Sequence, residues 1–290
     1  MGVRPRDRGR GTESLILRRD PDGGLLKTDR CVEFSVLKAL ETSELPTPYA
    51  RWLDADGTWF GRPSLIMRRV PGECDYHVLR GTRPLAWRRD LAERLCDLLA
   101  AVHAVDWRRL RIGDVLPDPG MAAAAYELDR WETVLRRDQL EDYPELELAL
   151  GWLRATVPPG SRTVLVHGDF KPGNVLLEDG RVTALLDWEL AHLGDPLEDL
   201  GWVTQPLRAR EHTIARAWSN EDLIARYEHT TGAQVDRASL AWWTAFAAFK
   251  TAVMQVSGLR SFLDGRSEEP FRPTRAVLGT LLDAVGGRRC

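Results

Sequence analysis

Residues 166–177 read VHGDFKPGNVLL, and residues 185–189 read LLDWE. His167, Asp169, Lys171 and Asn174 are crowded into eight positions between two apolar runs. Gly168 and Gly173 permit backbone angles that other residues avoid, and Pro172 stiffens the segment while removing a donor. The spacing predicts a rigid loop at the end of a strand over 163–167, presenting Asp169, Lys171 and Asn174 together. Strands at 174–178 and 182–187, joined by an EDGR turn, predict a hairpin that returns Asp187 beside Asn174.

A converging asparagine and aspartate offer hard oxygen donors of the kind Mg²⁺ prefers. Asp169 then stands as a base or orienting group, and Lys171 as a cation near a transferring phosphoryl group. One carboxylate to orient a hydroxyl, Asn and Asp for a metal, and a cation for developing charge are the parts of a phosphoryl-transfer site. Asp169 and Asn174 are separated by four residues, as in the kinase catalytic loop, and Asp187-Trp188-Glu189 stands where a DFG triplet would.

With these residues in place, HGDFKPGNVLL…LLDWELAHLGDPLEDL resembles the aminoglycoside phosphotransferase and choline kinase family of the protein-kinase-like fold. Within it, the chain is most similar to the branch associated with acyl-CoA dehydrogenase family members. The resemblance covers roughly residues 13–285. It implies an α+β, two-lobe fold: a small β-rich lobe over 1–72 and a larger, mainly helical lobe over 73–290. It implies ATP and Mg²⁺ as cofactors, Asp169 as catalytic base, Asn174 and Asp187 as metal ligands, and Lys171 as a γ-phosphate contact. His167 is then a structural member of the loop, and Asp199 hydrogen-bonds the loop backbone. Glu189 and Asp195 are expected toward the acceptor side, Glu189 also being a possible support for the metal.

Toward the N-terminus, LILRRDP (15–21) resembles the strand carrying the α/β-phosphate cation. Arg18 is the expected cation, with Arg19 the alternative. Glu33, on a helix starting near Thr28, matches its ion-pair partner. LIMRRVPGE (65–73) resembles the hinge, with Met67, Arg68, Arg69 and Val70 as the adenine-binding span. A complete small lobe has two strands and a Gly-rich loop ahead of the Arg18 strand. Only about fourteen residues precede it here, so RGRGTES (8–14) reads as the turn before that strand and the lobe as shortened.

Periodicity predicts further strands at 49–53 and 64–69 and a turn at PDGG, 21–24. Helices are expected over 84–105, 121–138, 144–155, 196–203, 207–218, 221–230, 238–257 and 273–285. The aromatic stripe of Trp242, Trp243, Phe246, Phe249 and Met254 reads as core. Asp195 before Pro196 also suits a plain helix cap. His77, His103, His192, His212 and His229 show no ligand spacing.

Composition narrows the function further. The chain has 290 residues, 43% hydrophobic and 29% charged, with a formal net charge of −3. That is ordinary for a globular protein and gives no basic footprint for nucleic acid, despite the local MGVRPRDRGR tip. Cys31, Cys74, Cys96 and Cys290 form no CxxC pair and fit reduced thiols. No signal-peptide pattern and no apolar run of 18 residues appear, so no membrane partner and a cytoplasmic location are expected. The expected activity is ATP-dependent phosphorylation of a small-molecule hydroxyl, an aminoglycoside or macrolide being one possible acceptor. The alternatives are a non-catalytic nucleotide-binding pseudokinase and, more remotely, a two-aspartate phosphohydrolase.

Overall fold

The computed structural model describes residues 2–3, 13–21 and 29–286. Most of RGRGTES, most of PDGG, and Thr28 lie outside them. The fold is α+β, as expected. A four-stranded antiparallel sheet has the order β1-β2-β4-β3, formed by β1 (Gly2–Val3), β2 (Leu15–Arg19), β3 (Ala50–Asp54) and β4 (Ser64–Arg68). Strand β1 was not anticipated: Gly2 and Val3 pair with Ile16 and Leu15. Alternation on β2 buries Leu15, while β4 is buried along most of its length because it lies in the sheet interior.

Helix α1 (Arg30–Leu40) packs beside this sheet. Asp29 caps it, its carboxylate accepting from Cys31 N at 2.8 Å. Its buried stripe runs Glu33, Val36, Leu37, Leu40, the i, i+3, i+4, i+7 pattern of an inward face. Burial of Leu37 and Leu40 contributes about 1.5–3 kcal/mol each. Glu33 on that same face, 1% exposed, therefore needs a cation.

The remainder is helical around two small sheets. Helices α2 (Leu85–His103), α3 (Ala123–Asp138) and α4 (Pro144–Ala155) precede the first of these. Strand β5 (Val164–Val166) pairs with β8 (His192–Gly194), and β6 (Val175–Glu178) pairs with β7 (Arg181–Leu185). Then come α5 (Pro196–Thr204), α6 (Ala209–His212), α7 (Asn220–Thr231), α8 (Arg237–Leu263) and α9 (Arg275–Val285). Helix α8 is apolar nearly all round, which marks a central helix, and the expected aromatic stripe is core apart from the half-buried Met254. Gly201 lets α5 approach it closely: a Cβ there would lie 2.6 Å from the Trp243 carbonyl carbon.

One expected helix is cut short. The 207–218 segment is helical only to His212; Ile214 and Trp218 then bridge across a turn in which Arg216 has φ +62°. Apolar spacing in that segment serves the core through a tight turn instead of a helix face.

Candidate active site

The loop after β5 is held by its backbone. Asp199, from the first turn of α5, accepts from His167 N at 2.8 Å and Gly168 N at 2.9 Å. His103 on α2 bonds the same carboxylate at 3.1 Å and the Tyr227 hydroxyl at 2.7 Å. Burial pushes the Asp199 carboxyl up, but the hydrogen bond and charge of His103, with help from His167, hold it down at about 2. Gly168 has φ +80°, and a Cβ there would meet Leu190 O at 2.6 Å, so only glycine fits.

His167 is fully buried. Its Nε2 faces the Leu186 carbonyl at 2.9 Å and its Nδ1 accepts from Asp169 N at 3.3 Å. A carbonyl can only accept, so Nε2 carries the proton. Burial lowers the imidazole pKa and keeps it neutral, in keeping with a structural role.

Asp169 lies 2.5 Å from Lys171 Nζ, and Asn174 Nδ2 donates to its carboxylate at 3.2 Å and its carbonyl at 2.9 Å. Arg208 Nη2 is 4.0 Å away and its guanidinium covers the Trp202 ring. The β6–β7 hairpin does what its spacing predicted. Val175 pairs with Leu185, and Leu186 N donates to Asn174 O at 2.8 Å, which brings Asp187 next to Asn174. Asp187 sits at φ +68°, ψ +55°, a left-handed conformation costly for a non-glycine residue.

On the other side of Asp187 lies an ion-pair network. Arg18 bonds Glu33 at 2.6 Å, Glu189 at 2.8 Å, and Asp187. Burial lowers the Arg18 pKa, and Glu33, Asp187 and Glu189 more than reverse this. Arg30, buried, pairs with Glu33, with Asp20 at 2.5 Å and with Glu189 at 3.5 Å. Desolvation raises the pKa values of both Glu33 and Glu189. Arg19 points outward to the Phe60 carbonyl, so Arg18 is the residue of the pair that enters the site.

A cavity of about 380 Å³ opens beside this network, lined by Ile16, Arg18, Leu176, Asp187 and the whole expected hinge span, Met67, Arg68, Arg69 and Val70. Within the hinge, Arg68 N donates to Tyr49 O at 2.8 Å and Arg69 N to Ser14 O at 2.9 Å. Among the described residues, no backbone carbonyl accepts from Val70 N.

Asp195 is buried and caps α5, accepting from Leu197 N, Ser161 N and Ser161 Oγ, so the helix-cap reading holds and its oxygens are occupied by these donors. Glu189 reaches Arg18 and Arg30, so its carboxylate is engaged on the Arg18 side of Asp187. Sequence reasoning missed Arg30, Arg208, His103 and Lys250. A lysine ending WWTAFAAFK, midway along α8, was the one visible signal, because charge on an apolar helix face is costly. It also missed a buried trio, Glu127, His192 and Glu198, whose ligand atoms lie within 4.8 Å of one another. Arg130 pairs with Glu127 at 3.1 Å, and His192 with Glu198 at 2.9 Å, so this trio is charge-compensated by protein groups.

The family model described as "Phosphotransferase enzyme family" matches residues 5–243. The chain belongs to this family. It is 27% identical over 288 residues to mouse acyl-CoA dehydrogenase family member 11, covering 92% of this chain. The chain spans only 36% of that relative's length. Among solved structures, a Ralstonia eutropha protein assigned as an aminoglycoside phosphotransferase superposes with a TM-score of 0.78 at 21% identity, covering 99% of this chain and 93% of its own. A thermostable mutant of the aminoglycoside phosphotransferase APH(4)-Ia, in ternary complex with AMP-PNP and hygromycin B, superposes with a TM-score of 0.63 at 16% identity, covering 100% and 94%. Within this phosphotransferase fold, loop 167–174 and Asp187 form the candidate site.

Proposed function

We propose that this chain transfers the γ-phosphoryl group of ATP to a hydroxyl of a small molecule. The observation that carries the reading is that Asn174 binds Asp169 through Nδ2 and accepts from Leu186 N through its carbonyl, which sets the strand ending at Asp187 alongside it, at the edge of an apolar cavity walled by the hinge. The sheet and α1 act as the small lobe, 1–72, and the helices as the large lobe, 73–290. Adenine fits the 380 Å³ cavity, with Val70 N as its hinge donor. Arg18, kept in place by Glu33, faces the α- and β-phosphates.

The donor set suits Mg²⁺. Asn174 commits its Nδ2 to Asp169, which leaves its hard Oδ1, and Asp187 supplies a carboxylate. The ion would supply charge neutralisation on the phosphate oxygens. Asp169 accepts the proton of the acceptor hydroxyl, whose oxygen bonds to the γ-phosphorus as the bond to the β-phosphate oxygen breaks and ADP leaves. Lys171, now on Asp169, lies close enough to turn to the transferring group.

Lys171 and Arg208 beside Asp169 favour an acceptor that is not a polycation, which argues against an aminoglycoside. Cys31, Cys74 and Cys96 are free thiols, which fits a cytoplasmic setting. Among the described residues, no helix is long and apolar enough to cross a membrane.

The test is a screen for ADP formation and phosphorylated product over hydroxylated metabolites and antibiotics, with ATP and Mg²⁺. Product formation with one acceptor class supports the reading. Tight ATP·Mg²⁺ binding with neither transfer nor hydrolysis would favour a nucleotide-binding protein.

A further inference from the structure

Lys250 stands in the middle of α8 and is 2% exposed. Its Nζ donates to the Gly168 carbonyl at 2.9 Å and to Glu198 Oε1 at 3.2 Å. It lies 5.1 Å from the centroid of the Trp202 ring and 5.3 Å from that of Trp131. Burying an ammonium is expensive, so its partners must repay the loss of water.

Neutralising Glu198 is only part of its role. The cluster holds two carboxylates, Glu127 and Glu198. Arg130 answers the first. His192 answers the second, with its pKa raised to about 9: burial lowers it, and the charges of Glu127 and Glu198 outweigh that. Lys250 is therefore a second cation on Glu198, and its other partners are the Gly168 carbonyl and two indole faces.

That carbonyl belongs to the peptide joining Gly168 to Asp169. Its oxygen is on Lys250, and its N–H, that of Asp169, is on His167 Nδ1. The preceding amide, Gly168 N, is on Asp199. The plane that sets the direction of the Asp169 side chain is thus pinned at both ends, from α8 on one side and from within the loop on the other. Gly168, which no Cβ restrains, would otherwise be the loosest point of the loop.

We infer that Lys250 is a positioning residue of the phosphotransfer site, fixing the Gly168–Asp169 peptide so that Asp169 faces the acceptor hydroxyl. The inference rests on the proposed role of Asp169, so its test pairs a structural readout with a kinetic one. Lys250→Met keeps the length and removes the donor; Lys250→Met/Glu198→Gln removes the charge partner as well; Lys250→Arg keeps a buried cation. Amide exchange over the peptide spanning 166–176 reads the loop directly. ATP hydrolysis with Mg²⁺, water being the acceptor, reads kcat and KM.

Exchange in both Met variants should be faster at the loop and unchanged elsewhere. Their kcat should fall about 10- to 100-fold while KM for ATP moves less than about 2-fold, the cost of a misplaced group. Lys250→Arg should recover part of the kcat. Wild-type exchange in the loop of either Met variant would overturn the inference. So would recovery of full kcat in the double variant, because Lys250 would then serve only to balance Glu198. If the wild-type protein hydrolyses no ATP, the phosphotransfer reading is weakened, and the exchange comparison alone decides whether the clamp exists.

Discussion

The two sides of Asp187 are both dense in charge, but they are held in different ways. On the loop side, the buried carboxylate of Asp199 takes two backbone N–H groups and a histidine, and Lys250 takes a backbone carbonyl. These contacts bind main chain, and their partners have no other place to go. On the Arg18 side, Arg18 is shared among Glu33, Asp187 and Glu189, all through side chains, and Asp187 and Glu189 are partly open to solvent. Such contacts can be exchanged for phosphate and metal at little cost. The part that must keep its shape through a turnover is built from buried backbone bonds, and the part that must admit a ligand is built from tradable ion pairs.

The contrast can be broken at four points, in descending order of effect. Asp169→Asn should lower the rate of phosphoryl transfer by about 10²–10⁴-fold, while ATP·Mg²⁺ affinity by calorimetry stays near wild type, because the base acts on the acceptor. Lost nucleotide binding instead would place Asp169 on the wrong ligand.

Asp199→Ala should destabilise the chain by about 3–5 kcal/mol in urea unfolding, since it strands two buried N–H groups and His103. Its carboxyl is held at about 2, below the unfolded value of about 3.9, so its contribution is present above that value and is lost as pH falls through about 2.

His192 tests the buried cluster behind the loop. Its folded pKa of about 9 lies above the unfolded value of about 6.5, so its contribution is complete below 6.5 and fades as pH rises through 9. The gap in unfolding midpoint between wild type and His192→Gln should be widest near pH 6 and narrow toward pH 10. A gap that widens with pH would mean a neutral His192.

The smallest stability effect is expected from Arg18→Gln: less than about 1 kcal/mol, because Arg30 still answers Glu33, with a clear loss of ATP·Mg²⁺ affinity. A loss as large as that of Asp199→Ala would erase the distinction between the two sides.

Much of this site was legible because its geometry is local. Asp169, Lys171 and Asn174 sit on one short loop, and period-2 pairing in a hairpin fixes where Asp187 returns. Arg18 was expected over Arg19 from the resemblance, and β2 points it inward while Arg19 faces the Phe60 carbonyl. The contacts of Glu189 with Arg18 and Arg30 were not foreseen, because nothing in DWE tells which way a residue after a left-handed aspartate faces. The helix expected over 207–218 failed because a turn with Arg216 at positive φ buries the same apolar residues. Arg30, His103, Arg208 and Lys250 were not legible: Arg30 and Arg208 have i+3 partners in Glu33 and Glu211, but their approach to Glu189 and Asp169, like the contacts of His103 and Lys250, spans residues far apart in the chain, and no spacing encodes that.

By itself, the sequence determined the α+β class, the phosphotransferase family and the short loop that gathers Asp169, Lys171 and Asn174, since these follow from spacing and periodicity over a few residues. Only the tertiary structure decided how that loop is held and which cations surround it. Ion pairs, buried carboxylates and a lysine between two indoles depend on which helices pack together, and packing brings together residues far apart in the chain, such as Lys250 and Gly168.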